Sequence, residues 1–201
     1  MARQLRVAII GAGIGGLTAA ACLRRVGIDV RIYEQARSFF RLGAGIQQAP
    51  NSIRVLRAHG VAFTDHPYRY EARGGTAVSA RELGVDEHAC IKTLVMEDDA
   101  KRPLIVLMHG DREVSTRNLA RQVGARSIAP CAPDVADRHS GYQVGGTSPF
   151  GTRKPMPVYL QRTVMDLPRI YINGGHRGYL VGMAPADLFR VLAPTLGDIE
   201  G

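Results

Sequence analysis

The stretch Cys90-Ile91-Lys92-Thr93-Leu94-Val95 places one lysine at the start of a run of apolar and β-branched residues. Such a run is typical of a buried β-strand. The chain has only three lysines, Lys92, Lys101 and Lys154, among 26 basic residues. In a chain that otherwise uses arginine, a lysine between apolar neighbours indicates a site that needs a compact point charge. The alternative is a lysine near a strand end whose aliphatic stem lets its ammonium reach water.

Two glycine-rich segments follow this stretch, Ser140–Gly151 (SGYQVGGTSPFG) and Tyr171–Gly178 (YINGGHRG). Lys-Thr-Leu, then Gly-Tyr-x-Val-Gly-Gly-x-Ser-Pro-x-Gly, then Gly-Gly-x-Arg-Gly resembles the YbaK/EbsC/ProX family of aminoacyl-tRNA deacylases, near its Cys-tRNA(Pro) deacylase branch. The resemblance runs from about Asn51 to the C-terminus, and three motifs in the right order make it specific.

This resemblance implies a mixed α/β deacylase domain of the YbaK type that hydrolyses the ester of a mischarged tRNA. The expected substrate is Cys-tRNA(Pro) or a tRNA carrying a similar small amino acid. Water, or the thiol of the substrate's own cysteine, performs the attack, and the deacylase needs no cofactor. The aminoacyl-tRNA 3′ end is the expected partner, with prolyl-tRNA synthetase as a second candidate.

Hydrolysis of an ester requires stabilisation of an oxyanion and contacts to the terminal adenosine and its phosphates. Lys92 supplies a charge for the ester oxygen or a phosphate, and Thr93 supplies a hydroxyl, so these two are the candidate catalytic residues. Glycine amides can approach the ester closely because no Cβ intervenes, and the Arg177 fork suits a phosphate. The candidate substrate-binding residues are Tyr142, Gly145, Gly146, Ser148, Gly174, Gly175 and Arg177.

Some of these residues also have ordinary structural explanations. Thr93 and Ser148 also fit as ordinary strand-end or turn residues. His176 beside Arg177 is more often a solvated loop histidine and is left out of the catalytic set. Neither a Ser-His-Asp nor a Cys-His arrangement is evident, so we expect no covalent nucleophile from the protein.

One departure from the family concerns the substrate's amino group. Family members usually carry an acidic residue shortly after Gly-Gly-x-Arg-Gly, which would hold the α-ammonium, whereas this chain reads Tyr179-Leu180-Val181-Gly182-Met183. The identity of the amino acid therefore stays open between cysteine, alanine and other small residues.

The N-terminal segment predicts a Rossmann-like βαβ unit. A strand over 5–10 leads into a GxGxxG turn, a helix over 17–26 follows, and a strand over 28–33 ends at Glu34. In such a unit Gly11 permits the tight turn, Gly13 lets the backbone approach a pyrophosphate, and Gly16 lets helix and strand pack closely. Glu34 would accept from a ribose hydroxyl.

Residues 3–60 resemble flavin-dependent aromatic hydroxylases, with Arg41-Leu42-Gly43-Ala44-Gly45-Ile46 as the segment after the second strand. This resemblance implies FAD. The cofactor-binding candidates are Gly11, Gly13, Gly16, Glu34 and Arg41. The resemblance then stops, without a second flavin motif or a substrate-binding sheet, so a vestigial or fused segment is the favoured alternative to a working flavin site.

The fold class is therefore α/β, with a Rossmann-like segment over 1–49 joined to a deacylase domain over 50–201. Two alternatives to a deacylase remain, a fragment of an FAD-dependent monooxygenase and a non-catalytic module associated with tRNA or a synthetase. A net charge of +8 favours a polyanionic partner. Three scattered cysteines indicate reduced thiols and a cytoplasmic protein, and neither a metal motif nor a membrane segment is present.

The remaining pattern predicts helices over 51–59, from Val78 to Leu83, over 117–123, 132–138 and 184–192. It predicts strands over 61–64, 104–108, 158–160 and 170–172.

Overall fold

The computed structural model of the chain describes residues 5–34 and 50–201. The chain divides into two compact units, Met1–Gln48 and Ala49–Gly201. Arg41, assigned above to cofactor binding, lies outside the described residues.

The smaller unit has βαβ order. Strands β1 (Arg6–Ile10) and β2 (Asp29–Tyr33) pair in parallel, and helix α1 (Ile14–Arg25) connects them. The turn between β1 and α1 depends on glycine, because a Cβ on Gly16 would lie 1.9 Å from the carbonyl oxygen of Gly11.

The larger unit is a mixed eight-stranded sheet with helices on its faces. Its elements in chain order are α2 (Asn51–Ala58), β3 (Thr64–Pro67), α3 (Gly75–Leu83), β4 (Cys90–Asp98), β5 (Pro103–His109), α4 (Thr116–Val123), β6 (Ile128–Pro130), α5 (Pro133–Ser140), β7 (Val158–Gln161), β8 (Ile170–Asn173), β9 (Tyr179–Met183), α6 (Pro185–Leu192) and β10 (Thr195–Gly197). The strand order is β10-β7-β5-β4-β8-β9-β3, and β6 pairs with β4. The α/β class expected from the sequence is confirmed.

Alternation along the central strands builds two hydrophobic clusters. Ile91, Ile105 and Leu107 pack with residues of α2 and α6 in one cluster, which also contains Phe150. Met96, Val106 and Met108 pack with Leu119 of α4 in the other. Because successive side chains of a strand point to opposite faces, these two clusters mark the two faces of the sheet.

Several elements differ from the sequence-based expectation. The strand expected over 61–64 is β3, which begins at Thr64 and pairs with β9 from Thr64 to Pro67. Strand β4 runs from Cys90 to Asp98 and so extends beyond the stretch Cys90–Val95 quoted above. Strands β6, β9 and β10 were not predicted. The helices expected over 51–59, 117–123, 132–138 and 184–192 are present with shifts of one or two residues at their ends.

Two stacked histidine rings, those of His88 and His109, lie at the end of β5. His109 is fully buried, and its ring stacks on that of His88 with centroids 3.7 Å apart. Its Nδ1–H donates to the carbonyl of His88 at 2.7 Å, so Nε2 accepts from the Thr163 hydroxyl at 2.8 Å. Both ring nitrogens are thus used by the neutral imidazole, and burial lowers the pKa of His109.

The free energy of unfolding is therefore expected to depend on pH through His109. Below pH 6.5, the ordinary pKa of histidine, the unfolded chain binds a proton that folded His109 still excludes. Stability should then fall as the pH is lowered from 6.5 and level off below the depressed folded pKa. Urea unfolding of the wild type and of His109→Gln at a series of pH values measures this, and the variant should show a smaller dependence between pH 4 and pH 7.

His66 and His139 also have lowered pKa values through burial and contribute in the same direction, so the comparison rests on the difference between the two proteins. His59→Gln, at an exposed position, is the matched control and should retain the wild-type dependence. An unchanged dependence in His109→Gln would contradict the assignment.

Candidate active site

The central strand β4 has an unpaired edge in its middle. Along one side it pairs with β5 from Ile91 to Glu97. On the other side it pairs with β8 only at Cys90 and Ile91 and with β6 only from Met96 to Asp98. Val95 accepts a hydrogen bond from the Cys131 N–H at 3.0 Å. Among the described strands, none pairs with this edge at residues 92–94, which we call the β4 gap.

The parallel strand β8 ends at Asn173, one residue beyond its last pair with β4. The turn Asn173–Gly178 therefore begins at the level of Lys92, beside the β4 gap. In α/β sheets, ligands commonly bind in crevices at the carboxyl ends of strands, where the connections of neighbouring strands diverge.

Lys92 lies on the same face of β4 as Leu94 and Met96. Its side chain is 19% exposed, and Nζ is 3.3 Å from Oε1 of Glu113, a carboxylate that is 91% exposed. The ammonium is thus held close to the protein rather than extended into solvent, and its one ionic partner among the described residues is accessible from outside.

Thr93 lies on the opposite face, on the side of Ile91. Its hydroxyl is buried and makes no hydrogen bond to the described part of the chain. The sheet therefore separates the two candidate catalytic side chains, which alternation along a strand requires. An unpaired buried hydroxyl costs about 1–3 kcal/mol, so it is a group that a hydrogen-bonding ligand would stabilise.

The two glycine segments meet at the turn after β8. A Cβ on Gly146 would lie 2.7 Å from the backbone nitrogen of Arg177, and one on Gly145 would lie 2.9 Å from the Tyr70 hydroxyl. Asn173 connects the segments, because its Nδ2 donates to the carbonyl of Gly145 at 3.4 Å and its Oδ1 accepts from the N–H of Gly175 at 2.7 Å. Close backbone approach explains why these positions carry glycine.

Arg177 is fixed against the first glycine segment. Its Nε donates to the carbonyl of Val144 at 3.0 Å, and its guanidinium carbon lies 5.4 Å from the centroid of the Tyr70 ring. Within the described residues its two terminal nitrogens have no further hydrogen-bond partner, so the fork remains available for an anion.

The two hydroxyl residues expected to bind substrate serve the loop instead. The Tyr142 hydroxyl donates to the carbonyl of Phe150 at 2.6 Å, and Ser148 Oγ accepts from the N–H of Phe150 at 3.4 Å. Both residues are buried. Ser52 of α2 donates to the carbonyl of Gly174 and holds the second segment in the same way. These side chains shape the backbone that a substrate would meet.

The cysteines of the larger unit are poor nucleophiles. Burial raises the pKa of the Cys90 thiol to about 11, and burial also raises the pKa of Cys131. Thiolate, not thiol, is the attacking species. His176 donates through Nδ1 to the carbonyl of Arg177 and stacks on Tyr179 with centroids 4.6 Å apart. The described side chains thus offer no activated protein nucleophile.

Sequence reasoning missed four residues at this site: Ser52, Tyr70, Glu113 and Asn173. Asn173 precedes Gly174-Gly175 directly, and its side chain forms the Asx-type turn that such a sequence favours. The other three come from distant parts of the chain, and nothing in the local pattern marks them.

In the smaller unit, the glycine turn has the geometry of a nucleotide site. Gly11 has φ +101°, and the backbone at Gly13 is open, with no atom within 4 Å of a Cβ placed there. Glu34 accepts from the N–H of Ala12 at 2.8 Å, which brings its carboxylate to the turn. These residues fit the diphosphate part of a dinucleotide at the start of α1.

The described residues lack two further kinds of feature. No group of three or more His, Cys, Asp or Glu side chains is arranged to hold a metal ion. Every helix within 5–34 and 50–201 is too short or too polar to cross a bilayer.

Comparison with known proteins identifies the larger unit. The family model of the aminoacyl-tRNA editing domain matches residues 72–191. EbsC of Enterococcus faecalis, provisionally named a Cys-tRNA(Pro)/Cys-tRNA(Cys) deacylase, is 27% identical over 154 residues, which cover 76% of this chain and 94% of EbsC. A solved structure, provisionally described as a trans-editing enzyme for prolyl-tRNA synthetase, has a TM-score of 0.65 at 21% identity and covers 76% of this chain and 98% of its own. At that identity the likeness concerns the fold.

The amino-terminal part matches a second family. The FAD binding domain model matches residues 4–121. The 3-amino-4-hydroxybenzoate 2-monooxygenase PtnB3 of Streptomyces platensis is 40% identical over 199 residues, which cover 92% of this chain and 48% of PtnB3. The chain thus spans about half the length of this relative. Both family models match residues 72–121, which contain β4 and β5. These two strands belong to the same eight-stranded sheet as β6, β7, β8 and β9, which only the editing domain model matches.

The editing match and the deacylase relative together support aminoacyl-tRNA hydrolysis as the class of activity. The chain therefore belongs to the aminoacyl-tRNA editing domain family through its larger unit and to the FAD binding domain family through its amino-terminal part.

Proposed function

We propose that the larger unit hydrolyses the ester of a mischarged aminoacyl-tRNA at the β4 gap, with Lys92 as the catalytic residue. The observation that carries this proposal is the unpaired edge of β4 at residues 92–94, which begins at Lys92 and at the level of the turn that joins the two glycine segments. A cytoplasmic location follows from this proposal, because that is where tRNA is charged.

In this mechanism the Lys92 ammonium stabilises the negative charge that develops on the ester carbonyl oxygen. A fixed positive charge stabilises a developing negative charge far more in a partly dehydrated site than in water. The backbone N–H of Gly145 adds a donor that no Cβ obstructs and that has no hydrogen-bond partner among the described residues, whereas the N–H of Gly146 is already donated to the carbonyl of Gln143 at 2.8 Å. The terminal nitrogens of Arg177 take a phosphate of the terminal nucleotides. The Thr93 hydroxyl is buried on the opposite face of the strand and makes no contact in this step.

Water is the proposed nucleophile. Its oxygen forms a bond to the carbonyl carbon, the bond between that carbon and the ribose oxygen breaks, and the ribose oxygen leaves with a proton. The products are the free amino acid and a tRNA with a free terminal hydroxyl. When the amino acid is cysteine, its own thiol is the alternative attacking group: sulfur forms a bond to the carbonyl carbon, the ribose oxygen leaves with the thiol proton, and the cyclic thioester of cysteine is released and then hydrolysed by water. Neither route needs a protein nucleophile, in keeping with the raised pKa of Cys90.

The proposed substrate is a tRNA carrying cysteine or another small amino acid. EbsC, which covers 76% of this chain, carries the name of a Cys-tRNA(Pro)/Cys-tRNA(Cys) deacylase, and the structural neighbour is named for prolyl-tRNA synthetase. A panel of aminoacyl-tRNAs, incubated with the full chain and followed by release of the labelled amino acid, tests this directly. Absence of hydrolysis across the panel would contradict the function itself.

Glu113 is the proposed partner of the substrate's α-ammonium. Where the family usually carries an acidic residue, this chain reads Tyr179-Leu180-Val181-Gly182-Met183, and the Tyr179 hydroxyl donates to Asp65 on β3. The α-ammonium and the ester carbonyl are separated by a single carbon, so an ester oxygen beside Lys92 brings two positive charges close together. A carboxylate 3.3 Å from Lys92 Nζ lies where it can offset that repulsion.

Glu113→Gln is therefore expected to lower kcat/KM for aminoacyl-tRNA by roughly fivefold, the scale of an exposed ion pair. N-acetyl-aminoacyl-tRNA carries no ammonium and should be affected much less. Because any indirect effect through Lys92 acts on both substrates, the ratio of the two rates isolates the contact with the ammonium. Equal losses for both substrates would remove Glu113 from the amino-acid site.

A second candidate function is flavin binding by the smaller unit. The open backbone at Gly13 and the carboxylate of Glu34 at the turn favour it. Bound FAD would supply redox chemistry through its isoalloxazine ring, while Gly11, Gly13 and Gly16 would hold its diphosphate. Ile10 is 90% exposed and Tyr33 is 55% exposed, so the described part of this unit encloses little. A colourless purified protein that gains no flavin absorbance when incubated with FAD would exclude this candidate.

A further inference from the structure

A basic groove follows helix α4. It has a volume of about 450 Å³ and is lined by Arg117, Arg121 and Arg126. Its remaining lining residues are small or aliphatic: Thr116, Ala120, Ala125, Ser127 and Ile128. All three arginines are exposed. We call this surface the α4 arginine groove.

The three guanidinium groups have no carboxylate partner within the described part of the chain. Arg121 donates to Asn118 Oδ1 at 3.0 Å, and Arg126 uses only its backbone N–H to reach Asp99. On three other helices an exposed arginine forms an ion pair with a carboxylate three to ten residues away, Arg81 with Glu71, Arg138 with Asp134 and Arg190 with Asp187. Arg54 and Arg57 on α2 are exposed and, like the arginines of the groove, have no such partner among the described residues. The guanidinium groups of the groove are therefore free to bind an external anion.

The groove begins next to the proposed active site. Glu113, the ionic partner of Lys92, is followed two residues later by Ser115, whose side chain caps α4 at the N–H of Asn118. The helix then runs for eight residues, a length of about 12 Å. Arg117 and Arg121 are one turn apart on one side of the helix, and Arg126 follows its end. The positive charges thus extend from the Glu113 end of the helix to beyond its other end.

We propose that the α4 arginine groove binds consecutive phosphates of the acceptor end of the tRNA whose ester is held at Lys92. This inference rests on the proposed function, because the site of the ester fixes where the RNA leaves it. The planar guanidinium fork matches phosphate oxygens and suits RNA recognition. No aromatic residue lines the groove, so unpaired bases have no stacking platform there. The groove accordingly reads the sugar–phosphate backbone of a helical segment rather than its sequence.

The acidic residues near the groove do not oppose this assignment. Asp198, at the neighbouring surface, lies 3.6 Å from Arg162. Asp99 accepts from the backbone of Arg126 and so positions this arginine at the end of the groove. The three guanidinium groups leave the local charge positive.

The test is the triple variant Arg117→Gln, Arg121→Gln, Arg126→Gln in the full chain. Its affinity for uncharged tRNA, measured across a salt series, should fall on the order of tenfold at low salt. The slope of log affinity against log salt should become shallower by about 2 to 3, since each phosphate contact contributes about 0.7 to 0.9. Hydrolysis of an aminoacyl-adenosine, which has no phosphate, should stay at the wild-type rate.

A matched triple variant, Arg81→Gln, Arg138→Gln, Arg190→Gln, removes the same charge elsewhere and should change the slope much less. Equal losses in the two triple variants, or an unchanged slope in the α4 variant, would overturn the inference. The inference would also be wrong if the α4 triple variant kept its affinity for tRNA but lost binding to an acidic protein. The failure of this inference can be told apart from the failure of the proposed function. If the wild type hydrolyses aminoacyl-tRNA, the proposed function holds whatever the variants show. If the wild type hydrolyses no ester, the proposed function itself is wrong.

Discussion

Lys92→Ala is expected to lower the rate of aminoacyl-tRNA hydrolysis by about 100-fold or more, the cost of removing one oxyanion donor from an active site. The fold should be retained, because Lys92 contributes no apolar group to the two clusters that neighbouring Ile91 and Met96 help to build. Lys92→Arg should recover little activity. Its wider planar guanidinium does not fit an ammonium-sized position against the strand, beside Glu113.

Single-turnover hydrolysis and tRNA affinity, measured for the same proteins, separate chemistry from binding. Affinity and its salt dependence should stay close to wild type, since phosphate contacts by arginines supply most of the attraction to RNA. Lys101→Ala is the matched control, a lysine in the turn between β4 and β5 that is 77% exposed and paired with Glu97. Hydrolysis by Lys92→Ala at the wild-type rate would make Lys92 an ordinary strand lysine, and the β4 gap would lose its catalytic assignment.

The sequence predicted the central strand and most helices because their signals are local. The run from Cys90 to Val95 is apolar and β-branched, and α4 is bounded by Ser115 and by Gly124, which has φ +75°. These features determine the local conformation whatever the surroundings. The ends of α2, α4, α5 and α6 were therefore placed within two residues.

The strands that were missed lack such local signals. Strand β9 contains Gly182, which is required because a Cβ there would lie 2.8 Å from Thr64 Oγ1 of β3. Strand β3 itself carries Asp65, His66 and Pro67, the polar and proline residues typical of an edge strand. Strands β6 and β10 have three residues each. Their conformation comes from pairing with distant strands, which no window of sequence displays.

The candidate site shows the same limit. Motif order identified the two glycine segments and Lys92, and alternation along β4 already implies that Lys92 and Thr93 face opposite sides. The bond between Asn173 and Gly145 joins residues 28 positions apart, and the ion pair between Lys92 and Glu113 joins residues 21 positions apart. Such contacts depend on the register of the sheet, and register is fixed by tertiary packing rather than by local sequence.

Gly146→Ala is expected to force the two glycine segments apart. The added Cβ would lie 2.7 Å from the backbone nitrogen of Arg177 and 2.8 Å from the carbonyl carbon of His176. Both atoms belong to the main chain and cannot rotate away as a side-chain end would. The two glycine segments must then separate, which displaces the Arg177 fork and the glycine amides from the ester. A displacement of about 1 Å at a catalytic site can cost on the order of 100-fold in rate.

The experiment compares kcat/KM for aminoacyl-tRNA with the urea midpoint in Gly146→Ala and in a control, Gly84→Ala. Gly84 ends α3 with φ +64° and has open space around its Cβ position, so alanine there strains the backbone without touching the site. The control should lose about 1 kcal/mol of stability and keep its activity. Gly146→Ala should lose activity far beyond any loss of stability, because its Cβ strikes the backbone that carries Arg177. If both variants lose stability and activity in proportion, glycine at 146 serves only the fold, and the substrate does not depend on the close contact between the two segments.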